Sequence, residues 1–257
     1  MTIPINQIIC GDNVETLRTL PDACVDLVVT SPPYDNLRTY GGHSWDFEGV
    51  AQQLWRVIKP GGVVVWVVAD ATIDGSETGT SFRQALRFME IGFRLLDTMI
   101  YQKANVGGAR GSVNAYWQAF EFMFVLTKDA PKTFNPIEDR KNAKGGLVVT
   151  TGGRRSVDGT TTKNVPMLMA ENGRRLNVWR ISTAEVGGGH PAPFPEALAR
   201  DHILSWSNEG DIVLDPFSGS GTTAKMAKLM GRQFIGIEIN PEYCEIAAER
   251  LRQGVLF

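Results

Sequence analysis

A chain of 257 residues with 43% apolar and 21% charged side chains has the composition of a soluble globular protein and enough apolar material for one large α/β domain carrying an insertion. Its formal net charge of −2 excludes a globally basic nucleic-acid binder, so any such contact has to come from a local basic patch. No apolar run approaches the ~20 residues of a membrane span, and Met1-Thr2-Ile3-Pro4 lacks the basic and apolar segments of a signal peptide. Cys10, Cys24 and Cys244 stand apart without a Cys-x-x-Cys pair, which predicts buried thiols in a reducing, cytoplasmic setting and neither disulfide nor metal site.

Ile8 to Asp12 reads as a short strand ending in an acid, followed by a helix from about Asn13 to Leu20. Asp12 has two readings: an acceptor for an adenine amino group, or the N-cap of that helix. Val25 to Val29 has the length and β-branched content of a buried strand. It runs into Thr30-Ser31-Pro32-Pro33-Tyr34, where neither proline donates a backbone hydrogen bond and each holds its predecessor extended. The result is a stiff lip presenting carbonyls, the Ser31 hydroxyl and the Tyr34 ring at a strand's C-terminal end, where open α/β sheets bind ligands. Residues 35–44 are polar and glycine-bearing, a predicted loop over a site, with Arg38 a candidate phosphate contact.

Phe47, Val50, Ala51, Leu54, Trp55 and Ile58 recur at helical spacing after Asp46; Lys59-Pro60-Gly61-Gly62 should stop that helix, and Val63 to Val68 should form a buried strand. Ser81 is the expected cap of the next helix, with Phe82, Ala85, Leu86 and Met89 together on one face and Gly92 at its end. Tyr101 to Gly111 reads as a glycine-rich basic loop. Ala119 to Leu126 reads as a strand in which Glu121, an acid within an apolar run, has to be paired or to face a site.

Composition shifts at Pro131. Residues 131–178 hold nine basic residues against four acids, a local charge of +5, with abundant glycine and threonine and little apolar periodicity. Arg154, Arg155, Arg174 and Arg175 are the candidate nucleic-acid contacts there. His190 to Pro195 is a rigid approach to a helix from Glu196 to Trp206, with Phe194 either a pocket wall or a helix-entry staple. Asp211 to Asp215 reads as a buried strand, and Pro216-Phe217-Ser218-Gly219-Ser220-Gly221-Thr222-Thr223 leads from it into a helix. A further strand, Phe234 to Ile237, ends in Glu238, and Asn240-Pro241 caps a last helix that buries Cys244, Ala247, Ala248 and Leu251.

Strand, glycine turn and helix let backbone approach a nucleotide-like ligand, and an acid about twenty residues on can accept from ribose hydroxyls. Gly219, Gly221 and Ala224 also fit the spacing of nicotinamide dinucleotide enzymes, so spacing alone leaves a dehydrogenase open. Asp215 discriminates: it can pair with an ammonium group and would repel a pyrophosphate. With the Ser31–Tyr34 lip, these features resemble the β group of DNA amino-methyltransferases, which use S-adenosylmethionine, over nearly the whole chain. The order of lip, basic region and cofactor turn is that group's.

The resemblance implies a Rossmann-like α/β methyltransferase sandwich of circularly permuted motif order: a mostly parallel sheet with one antiparallel strand and helices on both faces. A catalytic half (1–130) and a cofactor half (179–257) would flank an inserted target-recognition region (131–178). It further implies Ser31, Pro32, Pro33 and Tyr34 as the catalytic lip acting on an exocyclic amine of a base flipped from double-stranded DNA. Asp12, Phe194, Asp215, Phe217, Gly219, Gly221, Thr222 and Glu238 would be cofactor contacts. Cytosine N4 is favoured over adenine N6, because serine before Pro-Pro-Tyr is commoner among cytosine enzymes. No Pro-Cys dipeptide occurs, so the cysteine nucleophile of cytosine C5 methylation is missing. RNA or protein-glutamine methylation and a catalytically silent DNA-binding module are the other readings, and a homodimer is left open.

Overall fold

The computed structural model describes residues 3–34, 45–105, 116–150, 157–160, 166–183 and 194–253. Contacts divide the chain into two compact units: 1–135 with 177–257, and 136–176.

The first unit begins with β1 (Gln7–Cys10), α1 (Asn13–Thr19), β2 (Val25–Thr30), α2 (Phe47–Val57) and β3 (Ile58–Val68). A small hairpin, β4 (Thr72–Ile73) and β5 (Ser76–Glu77), precedes α3 (Thr80–Ile91), β6 (Arg94–Lys103) and β7 (Phe120–Thr127). The second unit holds β8 (Arg140–Lys141), β9 (Val148–Thr150), β10 (Pro166–Leu168) and β11 (Asn172–Gly173). The chain then returns to the first unit with β12 (Val178–Ile181), α4 (Glu196–Trp206), β13 (Ile212–Asp215), α5 (Thr222–Leu229), β14 (Gln233–Glu238) and α6 (Pro241–Arg252).

Among the described residues, eight strands form one sheet in the order β1-β14-β13-β2-β3-β7-β6-β12. Neighbours run parallel except at β7, which is antiparallel to both β3 and β6. This is the expected mostly parallel sandwich. Both faces of its centre are covered, which is why β2 and the second half of β3, Val63 to Val68, are dominated by buried apolar residues. Val28, Val64, Trp66 and Leu214 join one core with Leu17 of α1, Leu54 of α2 and Phe88 of α3. The opposite face belongs to α4–α6: Thr223 of α5 donates to the Val29 carbonyl at 3.2 Å, and His202 of α4 lies 3.2 Å from Met123 Sδ. Asp12, Asp46 and Asn240 cap α1, α2 and α6, each side chain accepting a first-turn backbone N–H.

Three expectations are corrected. β3 starts at Ile58, paired with Val25, and the register then jumps to Leu27 opposite Val63; Lys59 to Gly62 bulge out, with Gly61 at φ +79°. Ser81 is not a cap. Its backbone and hydroxyl both donate to buried Asp70, at 2.9 and 2.5 Å, so the acid of another segment tethers the start of α3.

The buried face of α3 is not the apolar one. Phe82, Leu86 and Met89 are 50%, 59% and 45% exposed, while Ser81, Gln84, Ala85 and Phe88 face the core. Both stripes have helical spacing. The inward one is selected because its polar members find buried partners, Ser81 with Asp70 and Gln84 with Trp66 Nε1 at 2.9 Å. Finally, Tyr101 to Lys103 belong to β6, whose bulge between Leu95 and Asp97 breaks the alternation that marks a strand.

Edge position explains two smaller differences. β1 is an outer strand, so Cys10 is exposed, and Cys244 on the helix beside it is half-buried. Of the four apolar residues expected inside α6, only Ala247 is fully buried.

The second unit, taken alone, is two antiparallel ladders, β8 with β11 and β9 with β10. Leu147, Val148, Met167 and Leu168 are exposed.

Candidate active site

β2 and β13 are neighbours from which the chain departs in opposite directions, through α2 to β3 and through α5 to β14. Such a reversal opens a crevice at the strands' C-terminal ends. Thr30 ends β2 and Asp215 ends β13. The Thr30 hydroxyl donates to Asp215 Oδ1 at 2.7 Å, joining the lip to the glycine turn across 185 residues of sequence.

Asp215 also accepts the Phe217 backbone N–H at 3.0 Å and is 6% exposed. Burial pushes its carboxyl up from 3.8 to about 6; the bonds from Thr30 and the Phe217 N–H pull the other way, and the charge of Glu238 adds to the rise. Among the described residues no cation pairs with it. A buried carboxylate of this kind has the chemistry to accept a positive group.

Glu238 ends β14 and braces the turn. Its Oε2 accepts the Gly219 N–H at 2.8 Å and its Oε1 the Asn240 N–H at 2.9 Å. An ionised carboxylate has about four lone-pair sites, so capacity for ribose hydroxyls remains. Gly221 sits at φ +79° before α5, and a Cβ there would meet Ala247 at 2.9 Å. Close approach of α6 therefore explains this glycine without a ligand. The Thr222 hydroxyl accepts from Arg250 at 3.3 Å, and the same guanidinium nitrogen reaches the Ser220 hydroxyl at 2.8 Å.

Phe217 lies edge-on to Trp45, ring centroids 4.9 Å apart, in a cluster with Trp66. Phe194 is half-buried just ahead of α4. Asp12 is the helix cap, accepting Glu15 N–H at 2.9 Å, and lies just beyond the Cys10–Glu238 pair that ends the β1–β14 ladder.

On the lip, Pro32 is buried and Ser31 half-buried. Ser31 Oγ and Tyr34 Oη are 2.7 Å apart, and Tyr34 donates to Glu121 Oε2 at 2.9 Å. Glu121 Oε1 pairs with Lys103 Nζ at 2.8 Å. Glu121 thus has the ion pair that is one of its two readings, and it also touches the lip. Lys103 went unrecognised, because its strand did.

Arg38, Arg154, Arg155 and the His190-Pro191 approach lie outside the described residues. Arg174 and Arg175 are in the second unit. Arg175 grips Asp139 through Nε and a terminal nitrogen, at 3.0 and 2.5 Å, and holds that carboxyl below its ordinary value. The Arg174 carbonyl accepts from Arg140 at 3.0 Å.

Residues 25–249, from the first residue of β2 into α6, match the N6/N4 family profile described as DNA methylase. The chain belongs to the N6/N4 DNA methylase family. Among its relatives, the orphan methyltransferase M.BamHII of Bacillus amyloliquefaciens is 54% identical over 248 residues, covering 93% of each chain. The DNA adenine methyltransferase YhdJ of Escherichia coli K12 is 32% identical, over 95% of this chain and 82% of its own. Protein TTHA0409 of Thermus thermophilus, solved with S-adenosyl-L-methionine, superposes with a TM-score of 0.64 at 27% identity, covering 95% of this methylase and 92% of its own chain. Among the described residues of this methylase no helix is long and apolar enough to cross a membrane.

Proposed function

We propose that the enzyme methylates the exocyclic amine of a base flipped out of double-stranded DNA, with cytosine N4 favoured over adenine N6. The observation that carries the reading is the Thr30–Asp215 bond, which holds a Ser-Pro-Pro-Tyr lip and a glycine turn side by side at the reversal point of the sheet.

S-adenosylmethionine is the cofactor, and it brings a methyl group already activated on a sulfonium, so the protein's task is positioning and electrostatics. The residues suit it. Asp215, buried and with no cation partner among the described residues, would receive the ammonium of the methionine half, and Glu238 keeps acceptors for the ribose hydroxyls. Asp12 would take the adenine amine with the capacity its helix leaves over, and Phe217 and Phe194 would line the pocket. Gly219 and Gly221 shape the turn, and Thr222 supports it through Arg250.

An exocyclic amine is a weak nucleophile because its lone pair is delocalised into the ring. Hydrogen bonds from the amine to Ser31 Oγ and the Pro32 carbonyl would favour a tetrahedral nitrogen and aim that lone pair. Pro33 stiffens the lip, and Tyr34 would stack on the flipped base. The basic region 131–178, with Arg38, Arg154, Arg155, Arg174 and Arg175, would meet phosphates and base edges.

The choice of cytosine rests on Ser31 ahead of Pro-Pro-Tyr. The adenine reading has its own support in YhdJ, which carries the name DNA adenine methyltransferase at 32% identity. Digesting DNA from expressing cells to nucleosides and weighing them by mass spectrometry decides: N4-methylcytosine is expected. N6-methyladenine without it would overturn the choice of base and leave the lip's role standing.

A further inference from the structure

β7 runs against its neighbours, so it begins at the sheet edge where the parallel strands end. Its second residue, Glu121, arrives beside the lip, paired across the ladder with Tyr101 of β6. β6 ends two residues later at Lys103. Four side chains from three segments then form one line: Lys103 Nζ to Glu121 Oε1, 2.8 Å; Tyr34 Oη to Glu121 Oε2, 2.9 Å; Ser31 Oγ to Tyr34 Oη, 2.7 Å. Glu121 is only 14% exposed at its side chain and Lys103 28%, so water screens this pair poorly.

Counting protons gives the line a direction. An ammonium group only donates, an ionised carboxylate only accepts, and a phenol has one proton to give. Glu121 holds Lys103 at one carboxylate oxygen, and at the other it accepts the single hydrogen that Tyr34 has to give. The Tyr34 oxygen is left as the acceptor in its contact with Ser31. The Ser31 proton points at Tyr34, and the Ser31 lone pairs face away from it.

We propose that Glu121 is a positioning residue that fixes Ser31 as a hydrogen-bond acceptor toward the amine to be methylated. The inference rests on the reading of Ser31 as a catalytic residue. It deepens that reading, because a serine hydroxyl is otherwise free to donate. A hydroxyl donating to the amine nitrogen would occupy the lone pair that has to react; one that accepts from an amine N–H leaves that lone pair available. The cost of the wrong orientation is therefore a cost in rate, not in binding.

Glu121→Gln reverses the line without changing its shape. The amide oxygen stays with Lys103, the amide nitrogen donates to Tyr34, and the Tyr34 proton swings to Ser31. The test is single-turnover methylation of unmethylated genomic DNA with radiolabelled S-adenosylmethionine, alongside calorimetric cofactor binding. Glu121→Gln should lower the rate at saturation about ten- to hundredfold, the worth of one charge-assisted hydrogen bond, with KM values and cofactor affinity unchanged. In a Ser31→Ala background the same change should cost less than about twofold, since coupled residues are not additive. Tyr34→Phe, which cuts the line and leaves the ion pair intact, should lower the rate by itself and make Glu121→Gln silent. A wild-type rate for Tyr34→Phe, or a full loss from Glu121→Gln on top of Ser31→Ala, overturns the inference while the lip reading survives. A wild-type rate for Ser31→Ala sinks the lip reading itself, and the inference with it.

Discussion

Replacing Asp215 by asparagine should make the cofactor-free protein more stable and the enzyme worse. Burial lifts this carboxyl from 3.8 to about 6. At about 1.4 kcal/mol per pH unit, a rise of about two units means that the ionised form costs about 3 kcal/mol in the folded state. The sign follows from proton counting. Between about pH 4 and 6 the folded chain holds a proton that the unfolded chain has lost, so stability falls as pH rises through this window and stays low above it. Asparagine removes that fall. The Thr30 and Phe217 bonds both land on Oδ1, an oxygen that asparagine retains. Urea denaturation at pH 8 should therefore show Asp215→Asn more stable than wild type by up to about 3 kcal/mol, with the difference vanishing near pH 4. Calorimetry at pH 8 should show S-adenosylmethionine binding weakened by about 1.5–3 kcal/mol, the range for a hydrogen bond to a charged group. Wild-type affinity should itself decline below pH 6 as Asp215 takes up its proton. No stabilisation at pH 8 together with unchanged affinity would refute the account of Asp215 as an ammonium receptor held in readiness.

Glu238→Ala should weaken cofactor binding by about 1–3 kcal/mol and also lower the melting temperature, because Gly219 and Asn240 lose their acceptor; a folded variant binding normally in calorimetry would remove Glu238 from the site. DNA affinity should fall steeply with salt, and neutralising Arg154, Arg155, Arg174 and Arg175 together should reduce both affinity and slope, while an unchanged slope would place the DNA elsewhere. Arg175 should contribute less than its charge alone suggests, since leaving Asp139 is part of its cost of reaching a phosphate. On α3, Leu86→Gln should change stability by no more than about 0.5 kcal/mol, whereas Phe88→Ala should cost about 3–5 kcal/mol; chemical denaturation measures both.

The two motif-bearing strands are legible because a strand covered on both faces is dominated by apolar, β-branched residues, as β2 is despite Asp26 and as β13 is up to Asp215. Their ends, Thr30 and Asp215, can be named from sequence, but not the bond between them, since nothing local says that two segments so far apart are neighbours. The buried face of α3 is hidden for a similar reason. Ser81 and Gln84 look like surface residues until Asp70 and Trp66 are seen waiting for them. Glu121 announces itself as an acid in an apolar strand; its two partners do not, one being a lysine on a bulged strand and the other the lip's own tyrosine. Of the glycines, Gly221 shows how one residue type can satisfy a ligand motif and a packing demand alike.

The strand order has a consequence for how the enzyme comes into being. β1 and β2 are consecutive in the chain, yet β14 and β13 stand between them in the sheet. β1 and β2, made before β13 and β14, thus hold open a slot that only those later strands can fill. Until then β2, which carries the lip, presents a bare edge of unpaired backbone groups, the kind of surface that invites pairing with other chains. Contacts of such long sequence separation are slow to form. Until β13 and β14 dock, the lip therefore stands beside an open edge and without Asp215 and Glu238, and the same docking event that seals the edge brings those two acids to it.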